Sequence, residues 1–215
     1  MANERHGLTR REMLSLLAKG ALTYPLATSG LFALARKTQS SSQAVPADWQ
    51  LTSEELLEEI VSRAFLFFWN ETGKRTGLVR DRALADGGPD KRRIASIAAT
   101  GFGLGALCIG HQRGYLPADQ IRARVINTLN FLLNHVEQVN GIFYHFIDVN
   151  TGRRVRMSEV SPIDTTILLC GALTARAYFR DPVISQLATN IYARVNWRWM
   201  LNGGKTFALG WTPEY

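Results

Sequence analysis

The sequence predicts an all-α protein built from repeated helical hairpins. Five segments between Thr52 and about Met200 carry apolar residues at helical spacing. Amphipathic segments alternate with segments that are apolar nearly all round, the mark of outer and inner helices. A repeat of about 66 residues carries one hairpin onto the next.

Each element has its own signals. The first helix starts at Thr52, where Glu55 completes a capping box, and runs to about Trp69. Leu56, Leu57, Ile60, Ala64, Phe67 and Phe68 form its apolar stripe. The second runs from about Ile94 to Gln112 and is apolar throughout. The third starts at Pro117, a favoured first-turn residue, and reaches about Val136. The fourth follows Ser161-Pro162 and stays apolar through Tyr178. The fifth starts at Asp181-Pro182 and runs to about Met200, which places Trp197 and Trp199 in its core face. Helices two and four are expected to lie inside, with one, three and five outside. In the repeat, Ile97, Thr100, Gly105, Ala106 and Leu107 recur as Ile163, Thr166, Gly171, Ala172 and Leu173. Inner-to-outer turns are short. Outer-to-inner connections are long (about Asn70–Arg93 and Glu137–Ser161), and all of them reach the N-terminal ends of the inner helices. One rim therefore collects the long loops, and a ligand site belongs there.

Composition narrows the class. Of the 215 residues 46% are hydrophobic and 20% charged, ordinary for a globular protein. The net charge of +7 is uneven, with six basic and two acidic residues in 1–44 against 19 and 16 in the rest. So thin an excess over 45–215 argues against a nucleic-acid groove, which needs basic residues concentrated on one face. Cys108 and Cys170 fit no metal spacing and read as small, buried core residues.

Residues 1–35 read as an export signal. Thr9-Arg10-Arg11-Glu12-Met13-Leu14 has the twin-arginine form, a moderately apolar stretch follows to about Ala35, and Ala33-Leu34-Ala35 offers a cleavage site. Lys19 interrupts the stretch, so no stable membrane span is expected after cleavage. The expected partner is the twin-arginine translocation machinery and the expected location periplasmic or secreted. Residues 36–50, with Ser40-Ser41-Ser42 and Pro46, read as a linker, and 51–215 as the helical domain.

Several runs within that domain resemble the bacterial glycoamylase-like (glucoamylase-like) family. They are Thr76-Gly77-Leu78-Val79-Arg80-Asp81-Arg82, Ser96 to Leu104, Gly141-Ile142-Phe143-Tyr144-His145-Phe146-Ile147-Asp148, Ser158-Glu159 with Ile163-Asp164-Thr165, Trp197-Arg198-Trp199-Met200, and Gly210-Trp211-Thr212-Pro213-Glu214. The match spans about Glu54 to the end. The resemblance implies an (α/α)6 toroid and a glycoside hydrolase acting on a glucan or oligosaccharide, some relatives taking β-1,2-linked glucans. The five helices make up only the first two to three hairpins of such a toroid, so a truncated N-terminal part is expected. An inactive or glycan-binding fragment is the alternative.

Glycosidic cleavage uses two carboxyl groups, about 6.5–9.5 Å apart for inversion, the outcome expected here. The catalytic candidates are Glu159, Glu214 and Asp164. A carboxyl in an apolar or anionic neighbourhood stays protonated and serves as acid, the role open to Glu159; a salt bridge to Arg154 or Arg156 is its structural alternative. Asp164 falls three residues after Ser161, where it also completes a capping box, and the family motif places it beside the site. Glu214 follows Trp211 and Pro213, and an exposed tryptophan face stacks on a pyranose ring. Substrate-binding candidates are Arg80, Asp81, Tyr144, His145, Asp148 and Trp211. Arg80 and Asp81 suggest a bidentate pair. Ile142 to Asp148 reads as one strand closed by a turn at Asn150-Thr151-Gly152, with Tyr144, Phe146 and Asp148 on one face and Phe143, His145 and Ile147 on the other. His145 is read first as a hydrogen-bonded structural residue. No phosphate loop, metal cluster or nucleophile elbow is read, and no metal or cofactor is expected.

Overall fold

The computed structural model describes residues 51–85, 88 and 91–214. The segments read from the sequence as an export signal and a linker lie outside these. Helix α1 spans Ser53–Asn70, capped by Thr52 with the full capping box from Glu55. Helix α2 spans Ile97–Arg113 and stops at Gly114, whose φ of 67° closes the turn. Helix α3 spans Ala118–Asn134, after Pro117. Helix α4 spans Pro162–Phe179, capped by Ser161 and ended by Arg180 at φ 50°. Helix α5 spans Pro182–Ala193 under an Asp181 cap, and a 3-10 turn follows at Trp199–Leu201. Among the described residues no helix is long and apolar enough to cross a membrane.

Two helix ends differ from expectation. Residues Ile94–Ser96 form strand β1 rather than the start of α2. They pair antiparallel with β4, Phe146–Asp148, so helix begins only where the Ser96 hydroxyl accepts from the Ala99 N–H. Helix α5 stops at Ala193. There Arg194 lies over the Phe143 ring and donates to the Leu132 and Leu133 carbonyls at the end of α3. Trp197 and Trp199 thus lie beyond α5, half-buried against the core.

The inner pair meets backbone to backbone. A Cβ on Gly101 would lie 2.6 Å from the Ile167 carbonyl oxygen, and one on Gly171 would overlap the Gly101 carbonyl. Leu104, Leu107, Ile121, Leu129, Leu168, Ile184 and Ile191 fill the space between inner and outer helices. Each contributes about 1.5–3 kcal/mol by leaving water. The inner helices are not covered on every side, however. Phe102 and Ile163 are 61% and 67% exposed, and an apolar cleft of about 660 Å³ opens between α1, α2 and α4. Cys108 is buried, but Cys170 faces out of the same helix pair and is exposed, contrary to its expected core role.

The hairpins repeat in their hydrogen bonds. Gly77 and Gly141 both turn at positive φ. Two residues on, the Val79 N–H donates to Thr100 Oγ1 and the Phe143 N–H to Thr165 Oγ1. Ser96 N–H then donates to the Val79 carbonyl, and Ser161 N–H to that of Phe143. These equivalences set the repeat at 65 residues in the inner helices and 64 in the loops, not 66. Ahead of each inner helix one residue is paired on both sides: Ala95 between Arg80 and Ile147, Val160 between Tyr144 and Trp211. The expected single strand is therefore two. Strand β3, Ile142–Phe143, pairs with β2, Gln138–Val139, before the chain crosses to Val160 and then to β1. Strict alternation fails with it, since Ile142, Phe143 and Tyr144 are buried in succession.

The glycine contact generates a controlled test. Gly171→Ala is expected to destabilise the fold by about 1–3 kcal/mol through overpacking. Gly105→Ala, where a Cβ meets nothing within 4 Å, should be neutral or stabilising by up to about 1 kcal/mol. Thermal unfolding of both variants checks this; equal midpoints would refute the close approach.

Candidate active site

The rim at the start of α4 gathers three titratable side chains. The segment before the helix brings Glu159 under the loop carrying His145, because the His145 N–H donates to the Glu159 carbonyl at 2.9 Å. The His145 carbonyl accepts from Ile97 N–H at 3.1 Å, which ties the loop to the first residue of α2 as well. His145 stands between the starts of both inner helices. Its Nδ1 lies 3.1 Å from Glu159 Oε1 and its Nε2 lies 3.6 Å from Asp164 Oδ1. Only the Glu159 contact is within hydrogen-bond distance; the Asp164 oxygen faces the other ring nitrogen without bonding it. The ring also stacks on Phe146, centroid to centroid 3.7 Å, which limits its rotation.

Asp164 shows why the cluster forms. A complete capping box sends the third-position carboxylate back to the N-cap N–H. Here that N–H, of Ser161, is already donated to Phe143. The Ser161 hydroxyl donates to Asp164 Oδ2 at 2.5 Å instead, while accepting from the Asp164 N–H at 3.2 Å. Half the box is made, and Oδ1 is left facing His145. Ligand atoms of His145, Glu159 and Asp164 all lie within 4.8 Å of one another, the one such group among the described residues that could hold a metal ion. At that separation the two carboxylates stand closer than the spacing for inversion.

The other candidates take different positions. Glu159 pairs with His145 and not with Arg154 or Arg156. Arg154 instead grips Glu214, with Nη1 and Nη2 at 2.5 and 2.9 Å from its two oxygens. Those hydrogen bonds hold the Glu214 carboxyl below its ordinary range. Arg154 Nε also donates to the Ser158 carbonyl, and the guanidinium covers the Tyr144 ring at 5.0 Å. Tyr144 is 4% exposed, and burial raises its hydroxyl pKa; it offers no face to a sugar. Arg80 does not pair with Asp81. It reaches Glu71 and the Arg92 carbonyl, while Asp81 pairs with Arg82 at 2.5 Å. Trp211 remains partly exposed, edge-on to Trp199, with its backbone bonded in both directions to Val160. Its neighbour Gly210 lies against the Glu159 side chain, where a Cβ would stand 2.7 Å from Cγ. Sequence reasoning missed Arg154 as the link between the second and third loops. The sequence offers three arginines, Arg153, Arg154 and Arg156, between Tyr144 and Ser158 and does not single out the one that reaches Glu214.

Beside the cluster, across Phe146, a cleft of about 500 Å³ opens between the first and second loops, with Asp81, Arg82, Arg92 and Arg156 in its wall. Asp148 lies at the far end of β4. Its Oδ1 accepts from the N–H groups of Asn150 and Thr151, both at 2.9 Å, and its Oδ2 pairs with Arg93 at 3.0 Å. It therefore holds the turn and its loop, not a sugar.

No family model matches the chain. Over 171 residues it is 28% identical to an exo-β-1,2-glucooligosaccharide sophorohydrolase (non-reducing end) of Parabacteroides distasonis, covering 74% of this chain and 23% of that protein. The fold matches an endo-β-1,2-glucanase of Chitinophaga pinensis, solved with sophorotriose and glucose, at TM-score 0.68 and 23% identity, over 77% of this chain and 42% of that one. A Bacteroides fragilis structure described as a candidate glucoamylase matches at TM-score 0.68 and 25% identity, over 79% and 43%. The chain thus spans less than half the length of each. These likenesses bear out the glucoamylase-like resemblance and the all-α fold, here a partial (α/α)6 toroid.

Asp148 gives a pH-dependent prediction. Burial pushes its pKa up, but hydrogen bonds from Asn150, Arg93 and Thr151 outweigh this and leave it lowered. A folded value below the unfolded one stabilises the fold above about pH 4 and loses that contribution as pH falls through the folded value. Asp148→Asn should cost about 1 kcal/mol at pH 7, kept small because Arg93 is solvent-screened, and less on acidification. Denaturant titrations at pH 7 and below pH 4 check this; a loss independent of pH would contradict it.

Proposed function

We propose that this chain is part of a glycoside hydrolase acting on a β-linked glucan, with β-1,2-linked gluco-oligosaccharides as the substrate class. The observation that carries the reading is the Glu159–His145–Asp164 cluster at the start of an inner helix, beside the cleft and the partly exposed Trp211. The names of the similar proteins support the linkage. Glu159 is assigned as proton donor to the leaving oxygen. It is the more exposed carboxylate of the cluster, while Asp164 is buried and tied to Ser161. His145 is a positioning residue that fixes Glu159 and is itself fixed by Phe146. Trp211 is assigned as a stacking face for a sugar ring.

A second reading, glycan binding without turnover, is favoured by one specific observation. Both oxygens of Glu214 are engaged by Arg154, so this carboxylate does not stand free as a base. Turnover and affinity separate the two. Glu159→Gln is expected to reduce release of glucose or sophorose from β-1,2-gluco-oligosaccharides by about 10²–10⁴-fold while leaving oligosaccharide affinity within a few-fold. Unaltered turnover would remove Glu159 from the donor role. Binding with no turnover in the unsubstituted protein would select the second reading.

We also assign residues 1–35 to export through the twin-arginine machinery, with the helical domain acting in the periplasm or outside the cell. The support is the Thr9–Leu14 motif and the apolar stretch behind it. Replacing Arg10 and Arg11 together by lysine is expected to retain the precursor in the cytoplasmic fraction; unchanged fractionation would reject this route.

A further inference from the structure

We infer that the cleft across Phe146 from His145 is a subsite for an anionic substituent carried by the glycan; this rests on the glycan reading above. A neutral sugar offers hydroxyls, which both donate and accept. Guanidinium groups only donate, and their planar fork matches a carboxylate, sulfate or phosphate ester. Among the described residues, Arg82, Arg92 and Arg156 line the cleft together with Asp81. Asp81 is taken by Arg82. Arg156 makes no hydrogen bond or ion pair among the described residues.

The backbone at Arg156 is an independent observation. The turn Val155–Ser158 closes with the Ser158 N–H on the Val155 carbonyl at 3.3 Å, and Arg156 takes its second position at φ 54°. Glycine, asparagine or aspartate ordinarily fills such a position, because a larger side chain is strained there. The other non-glycine residues at positive φ among those described are Asn140 and Asn202 in turns and Arg180 at a helix end. Arg156 keeps a strained turn while lining a cleft, and residues held this way cluster at ligand sites. Apolar walls at Phe146 and Met157 lower the local dielectric and strengthen attraction to an anion. Phe146, which lines the cleft, stacks on His145, so the cleft adjoins the Glu159–His145–Asp164 cluster.

The test is calorimetric titration of the full chain with three ligands: a β-1,2-gluco-oligosaccharide, the same oligosaccharide carrying a succinyl half-ester, and free succinate. The expected result is about tenfold tighter binding of the succinylated glycan at low ionic strength, converging on the neutral glycan at high salt. Arg156→Ala should abolish the preference and leave neutral-glycan affinity unchanged, and Arg156→Lys should restore part of it. Equal affinity for both glycans, or a preference that survives Arg156→Ala, overturns the subsite and leaves the glycan reading intact. Free succinate binding as tightly as the succinylated glycan overturns it as well, leaving a plain anion site. Failure of both glycans to bind removes the glycan reading and the subsite together.

Discussion

The contact on which the rest of this structure depends is the one between α2 and α4. Gly101 and Gly171 let two apolar helices touch through their backbones, so that the main chains stand where side chains ordinarily meet. That distance brings the two helix starts close enough for one residue, His145, to reach both. Its carbonyl accepts from Ile97 at the head of α2, and its ring faces Asp164 at the head of α4. A wider crossing would separate these ends and break the cluster without altering any residue in it. Stability and site geometry thus rest on the absence of two methyl groups.

The cluster itself follows from competition for one N–H group. Had Ser161 kept its backbone donor for Asp164, the capping box would have closed and the carboxylate would have turned away from the rim. The repeat prevents this, because the loop strand takes the same donor in each hairpin, through Val79 in the first and Phe143 in the second. In the first hairpin the residue at the aspartate's position is Ala99, whose N–H also bonds the capping hydroxyl. The scaffold is the same in both, and only the second carries a carboxylate at that point.

Much of this was legible in the sequence. Caps at Thr52, Ser161 and Asp181 are local, and local chemistry decides them. The alternation of amphipathic and apolar segments gave the inner and outer assignment, and loop lengths placed the rim. What the sequence did not reveal was partnership. Glu159 had arginines three, five and six residues away and chose a histidine fourteen away, because the loop strand folds back over it. Arg80 turned from its neighbour Asp81 to Glu71 for the same reason. The end of α5 was misplaced because Arg194 is drawn to the carbonyls of a different helix. Cys170 was misplaced because an apolar run does not say which of its faces meets another helix.

The doubly paired residues ahead of the inner helices have a wider consequence. Ala95 and Val160 are joined to their neighbours through main-chain groups, which every residue type except proline supplies. Such joints do not read side chains. The rim can therefore exchange the residues it presents while the loops stay in register, and a substitution there is judged by what it does to the ligand rather than to the fold. A scaffold of this kind lets sequence drift far while shape is kept, in accord with a TM-score of 0.68 at 23% identity. Specificity in such proteins is cheap to change and architecture is slow to change, and the two are written in different atoms.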